Sequence, residues 1–178
     1  PIASGANNVT FRDNVLADLT AGGLVALSGS SDVVFDNNTL LRIGNSTYAT
    51  IFVSAYGGDP VSNLIISNNT INTSSGRTIS VLTSSSIIID TNTIDNSTEN
   101  GIFLNDSNDS IIRFNDVMDV GIYGGSANES SIYLSNAINI TINNNNVTRN
   151  DYGILSSNST NLSIFRNNIY RIFWKLRS

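Results

Sequence analysis

The chain has 178 residues, 40% hydrophobic and 13% charged, with a net charge of −5 and neither Cys nor His. That length buries a sizeable core, and so low a charge excludes disorder driven by self-repulsion. The acidic balance excludes nucleic acid as the main partner, no apolar run approaches the ~20 residues of a membrane-spanning helix, and the lack of Cys leaves the redox compartment open.

The chain begins at Pro1, as expected of a processed mature protein or an excised piece. From residue 7 onward one frame recurs, with apolar residues five and three positions before an asparagine and another two positions after it. Around Asn14 these are Val9, Phe11 and Leu16; around Asn38, Val33, Phe35 and Leu40; around Asn69, Leu64, Ile66 and Ile71. The frame returns at Asn92 (Ile87, Ile89, Ile94), Asn145 (Ile140, Ile142, Val147) and Asn167 (Leu162, Ile164, Ile169). Asn115 keeps Ile112 and Val117 but has Ser110 in the first slot. Steps of 24, 31, 23, 23, 30 and 22 residues separate these asparagines, giving a period near 23 with two insertions. A second apolar run follows each asparagine, as at Leu24–Leu27 and Ile102–Leu104. Gly23, Gly101 and Gly153 precede three of these runs and are expected to supply positive φ where the chain turns into a strand.

With 28 Asn, 26 Ser and 15 Thr in place of the usual Lys and Glu, helices are disfavoured, because these side chains compete for backbone hydrogen bonds. Two or three short strands per repeat predict an all-β fold, a parallel β-helix of about seven coils forming one domain over residues 1–178. The repeat asparagines are expected to form an internal ladder, each buried amide satisfying backbone groups at a turn and its neighbours one coil away. Residues 170–178 read as an aromatic and basic C-terminal end.

Aligning the repeats on the asparagines predicts neighbours one coil apart. Arg12 falls beside Asp36 and Asp90 beside Arg113, two positions before the ladder; Asp18 falls beside Arg42 and Asp119 beside Arg149, four positions after it. The insertions, including Tyr56–Pro60 and Gly124–Glu129, read as loops projecting from the scaffold.

With N-N-T-I at 68–71, N-G-I-F-L at 100–104 and Y-G-I-L-S-S-N-S-T at 152–160, the chain resembles the right-handed parallel β-helix repeat proteins. Over residues 7 to 170 it is most similar to the NosD-like and pectate-lyase-like surface proteins of archaea and bacteria. The resemblance implies the right hand. It leaves function open, because this fold hosts lyases, hydrolases, adhesins, phage spikes and structural proteins. NosD is associated with copper-enzyme maturation; a chain without His or Cys, with Met118 its only Met, has no ligands suited to copper, so that role does not carry over.

Pectate-lyase-like relatives imply Asp residues around Ca²⁺ with an Arg or Lys base, and polygalacturonase-like ones imply paired Asp residues. The acidic groups available are Asp106, Asp109, Asp116 and Asp119, and separately Asp90, Asp95 and Glu99. Neither reproduces a catalytic motif, so no catalytic residue and no cofactor are assigned; Asp106 and Asp109 are weak candidates for Ca²⁺. N-glycosylation sequons occur at Asn8, Asn37, Asn45, Asn68, Asn72, Asn96, Asn105, Asn108, Asn128, Asn139, Asn146, Asn158 and Asn161. Tyr170, Phe173, Trp174, Lys175 and Arg177 are candidates for an assembly contact at the C-terminal end. The expected function is a non-enzymatic extracellular structural protein, a cell-surface, sheath or filament subunit that stacks on itself. The alternative is a carbohydrate-binding or lyase-like β-helix or adhesin, with Tyr48, Tyr56, Tyr123, Tyr133 and Tyr152 as sugar platforms.

Overall fold

The computed structural model describes residues 2–44, 49–55, 58–121 and 129–172, and of Thr73 the backbone alone. Among them are 21 strands in three seven-stranded parallel sheets. The first sheet runs from Ile2–Ser4 to Ile154–Ser157, the second from Asn7–Arg12 to Thr160–Phe165, the third from Val15–Ala17 to Asn168–Tyr170. Each coil contributes one strand to each sheet, and each strand pairs with its counterparts in the coils before and after it.

The fourth coil shows why the sequence folds this way. Ile79–Leu82, Ser84–Asp90 and Thr93–Ser97 are its three strands. Alternation turns Ile79, Val81, Ile87, Ile89 and Ile94 inward, all with no exposed surface. Register stacks like on like: Ile87 on Leu64, Ile89 on Ile66, Ile94 on Ile71. The one polar exception in the repeat frame is also accommodated. Ser110 is buried, its hydroxyl accepts the Ile87 N–H at 3.2 Å and donates to the Asn108 carbonyl at 2.8 Å.

The ladder runs the length of the column at the corner between the second and third sheets. Asn69 donates both its backbone N–H (3.0 Å) and its side-chain amide (2.9 Å) to the Asn92 Oδ1. Asn92 repeats this to Asn115 at 2.9 and 3.0 Å, and its amide also donates to the carbonyls of Ile66 and Asp90. The corner residue before each ladder asparagine (Asp13, Asn37, Asn68, Thr91, Phe114, Asn144, Arg166) is left-handed, with φ between 52° and 60°. Sixteen of the 24 positive-φ non-glycine residues are Asn or Asp, the side chains that tolerate this region best. The Asn-rich composition therefore follows in large part from corners repeated in every coil.

The glycines before the first-sheet strands have a different role from the one expected. Gly23, Gly101 and Gly153 are not left-handed; they stand where the backbone of the next coil or the core crowds in. A Cβ on Gly101 would lie 2.7 Å from Val117 Cγ1 and 2.8 Å from the Ser131 carbonyl oxygen. Space, not φ, requires glycine there. The insertions fall at two different corners: one between Ile51–Ser54 and Val61–Ser67, joining first to second sheet, and one between Asp116–Val120 and Ile132–Ser135, joining third to first.

Candidate functional site

Each sheet turns its other side chains outward, so the column has three faces of different chemistry. The outer face of the first sheet is largely covered. Phe52, Ser80 and Phe103 point outward in register yet are nearly buried. The Arg77 guanidinium sits 4.0 Å over the Phe103 ring and 3.6 Å from Glu99, and the Tyr133 ring packs against Phe103 at 5.3 Å. Tyr133 is thus already stacked within the protein and does not offer the free sugar platform expected of it. Tyr48, Tyr56 and Tyr123 lie outside the described residues.

The outer face of the third sheet carries charge. Arg42 grips Asp18 with two nitrogens at 2.6 and 2.8 Å, and Arg149 grips Asp119 at 2.9 and 2.5 Å. The hydrogen bond from Arg149 holds the Asp119 carboxyl below its ordinary range. Asp95, one coil away, is shifted upward, first by its burial and then by the charge of Asp119.

The outer face of the second sheet holds an open groove of about 450 Å³. Val34, Ile65, Ile88 and Ile111, one from each of four consecutive coils, form its floor. Asn8, Asp32, Asn63, Ser86 and Asp109 form one rim. These five are left-handed, with φ from 51° to 58°, so a bend in every coil sets this polar column off from the apolar one. Beyond the floor on the opposite side run the ion pairs Arg12–Asp36 (3.0 Å) and Arg113–Asp90 (2.8 Å). Asp36 is held below its ordinary range mainly by hydrogen bonds from Asn68 and Ser67, with Arg12 contributing less.

The structure disperses the acidic groups suggested by the sequence. Asp106 accepts the Asn105 amide at 2.5 Å, and Asp109 accepts the Asn139 amide at 2.6 Å. Asp106 lies at the corner between first and second sheets and Asp109 on the second sheet, and among the described residues no cluster of three or more metal-ligating side chains gathers. Asp90 is given to Arg113, and Asp116 accepts the Asn146 amide at 2.9 Å. The carboxylates that do meet, Asp95 and Asp119, come from the two different groups.

Of the sequon asparagines, Asn8, Asn37, Asn68, Asn96, Asn139, Asn158 and Asn161 are exposed and left-handed. Asn108 is also exposed, whereas Asn72, Asn105 and Asn146 are half-buried; Asn45 and Asn128 lie outside the described residues. The hydroxyls of Ser74, Ser107, Ser110 and Thr148, which complete the sequons of Asn72, Asn105, Asn108 and Asn146, are buried. Tyr170 closes the last strand of the third sheet, 44% exposed; Phe173, Trp174, Lys175 and Arg177 lie outside the described residues. Sequence reasoning missed the groove, and it missed a second buried amide, Asn150, which accepts the Val120 N–H at 2.7 Å and donates to the Val117 carbonyl.

Two solved structures share this architecture. The surface protein and adhesin PfbA of Streptococcus pneumoniae matches with a TM-score of 0.52 at 14% identity, over 96% of this chain and 66% of that one. The enzymatically active domain of tailspike protein 2 of bacteriophage CBA120 matches with a TM-score of 0.50 at 16% identity, over 92% of this chain and 31% of that one. At such identities the likeness speaks for the fold. A sequence comparison with curated proteins finds no match. The family model described as a right-handed beta helix region matches residues 2–169, nearly the whole column, and the chain belongs to that family.

Proposed function

We propose that the chain is a non-enzymatic extracellular structural protein whose β-helix extends by stacking on further copies of itself. The observation that carries this reading is the match between its first and last described coils. Arg166 and Arg171 stand one position before and four after Asn167; Asp13 and Asp18 stand at the same places around Asn14. Continuing the register of the sheets from one copy to the next brings Arg166 to Asp13 and Arg171 to Asp18. This is the cross-coil pairing that already joins Arg42 to Asp18 and Arg149 to Asp119. The ladder has the matching polarity, since every rung donates its N–H to the amide oxygen of the following coil. Asn167 thus presents an N–H where Asn14 presents an oxygen. Ile164 and Ile169, both exposed, would lie over Phe11 and Leu16. A translation with no closing rotation gives a filament.

The test is sedimentation and negative-stain microscopy across a concentration series. Filaments or growing oligomers are expected, dispersed by Arg166→Glu with Arg171→Glu. Monodisperse monomers at every concentration would overturn the stacking reading. The exposed Asn, Ser and Thr surface with its sequons supports an extracellular location and N-glycosylation.

A second reading, carbohydrate recognition, is favoured by the groove on the second sheet. One of the two structural neighbours is a surface protein and adhesin, which supports the same setting. The rim carboxylates Asp32 and Asp109 stand three coils apart, about 14 Å at ~4.8 Å per coil. Carboxyl pairs that cleave glycosidic bonds stand roughly 5–9.5 Å apart, so this rim suits holding a glycan rather than hydrolysing it.

A further inference from the structure

We infer that the groove on the second sheet binds a neutral, hydroxyl-rich polymer lying along the helix axis, with one sugar unit per coil. The inference rests on the carbohydrate reading above and names its site and ligand class.

The floor is a continuous aliphatic ribbon, because register sets Val34 beside Ile65, Ile65 beside Ile88, and Ile88 beside Ile111. Ile65 is 37% exposed, at the middle of this ribbon. The ribbon is bounded: the same column reads Thr10 in the first coil and Thr141 in the sixth. Stacking within the column does not require it, since these side chains point away from the core. Beside each floor residue stands one polar rim residue, in order Asp32, Asn63, Ser86 and Asp109. An apolar strip with a hydrogen-bonding edge suits a ligand with a C–H face and a hydroxyl edge, as a pyranose has. Repetition of both features at every coil suits a ligand that itself repeats at about the coil spacing of ~4.8 Å.

Charge and backbone chemistry narrow the class. None of the groove-lining residues is basic, two are carboxylates, and the flanking Arg12 and Arg113 are already paired with Asp36 and Asp90, so a polyuronide or nucleic acid meets net repulsion. An extended peptide gains most at a sheet edge, where backbone groups are free, whereas this is a sheet face whose backbone is paired on both sides. A neutral polysaccharide remains.

The test is titration calorimetry of the unglycosylated chain with neutral malto-, cello- and laminari-oligosaccharides of graded length, beside oligogalacturonate. Affinity is expected to rise with length and level off at about four units, the span of the floor at ~4.8 Å per coil. Ile65→Ser with Ile88→Ser is expected to weaken binding about tenfold or more, from lost apolar contact, while circular dichroism stays unchanged. Asp32→Asn with Asp109→Asn is expected to keep neutral binding and admit the oligogalacturonate. Neutral binding indifferent to the isoleucine variant would overturn the groove and leave carbohydrate recognition standing elsewhere. Binding of oligogalacturonate alone would overturn the neutral class. No binding of any oligosaccharide would overturn the groove and the carbohydrate reading together.

Discussion

Asp95 and Asp119 neighbour one another on the outer face of the third sheet, one coil apart, and the Arg149 guanidinium is given to Asp119. Two carboxyls so placed titrate apart: Arg149 holds Asp119 low, while burial and the charge of Asp119 push Asp95 up. A carboxyl whose folded pKa lies above its ordinary value of 3.8 costs stability once pH climbs past that value, because the unfolded chain ionises first. Asp95→Asn removes this cost. Its amide oxygen can still accept from Asn72, and its amide group can donate to Asp119. The melting temperature of Asp95→Asn is expected to match the parent at a pH well below 3.8, where Asp95 is protonated folded and unfolded alike, and to exceed it increasingly through neutral pH. A difference that does not change with pH would remove Asp95 as the destabilised partner.

The ladder predicts a gradient of cost along the column. Asn92 is buried, accepts two hydrogen bonds from Asn69 and donates to Ile66, Asp90 and Asn115. Asn92→Ala leaves the Asn69 backbone N–H without an acceptor inside the core and strips the Asn69 amide of one of its two bonds, that to the Phe35 carbonyl remaining. At ~1–3 kcal/mol for a buried polar group left unsatisfied, the loss is about 3 kcal/mol or more. Asn14 is exposed, and its amide donates to Arg12 and Asn38 at one edge of the ladder. Asn14→Ala is expected to cost about 1 kcal/mol or less, because water replaces what is lost. Urea titration of both variants reads the contrast. Equal costs would mean that the ladder does not act through burial.

Most of this was open to a reading of the sequence, and the reason is columnar register. Once the repeats are aligned on the asparagines, residues at one offset are neighbours, so Arg12–Asp36, Asp18–Arg42, Asp90–Arg113 and Asp119–Arg149 follow, and all four ion pairs form. Arg77–Glu99 did not follow because Arg77 stands eight positions after Asn69 and Glu99 seven after Asn92, so the pair crosses between neighbouring offsets. Asp95 and Asp119 escaped because they sit at neighbouring offsets and meet diagonally. The groove was hidden for another reason. Its floor residues lie inside apolar runs such as Leu64-Ile65-Ile66 and Ile87-Ile88-Ile89, where inward and outward isoleucines look alike.

Phe114 occupies the left-handed corner position that is Asp, Asn, Thr or Arg in every other coil, with φ 55° and its ring 53% exposed. A bulky side chain is strained there, and the compensating contact is weak: the Arg113 guanidinium is 5.9 Å from the ring centre, at the outer limit for a cation–π interaction. Phe114→Asn is expected to stabilise the chain by about 0.5–1 kcal/mol, the usual gain when a residue comes to suit its backbone conformation. A loss on denaturant unfolding would show that the ring contributes more than the strain it imposes.

Accessibility divides the sequons into two groups. Asn8, Asn37, Asn68, Asn96, Asn139, Asn158 and Asn161 stand exposed at left-handed bends, with Thr10, Thr70, Thr160 and Ser163 among the hydroxyls exposed beside them. Behind Asn72, Asn105, Asn108 and Asn146 the hydroxyl is buried, and Ser107 and Ser110 spend theirs on the carbonyls of Asn105 and Asn108 themselves. A transferase acting on the folded chain needs the asparagine and the hydroxyl together, so it reaches only the first group. Glycopeptide mass spectrometry of native material is expected to find occupancy concentrated at those seven asparagines. Equal occupancy at Asn105 and Asn108 would mean that attachment precedes folding, since Ser107 and Ser110 face the interior once the coils have stacked.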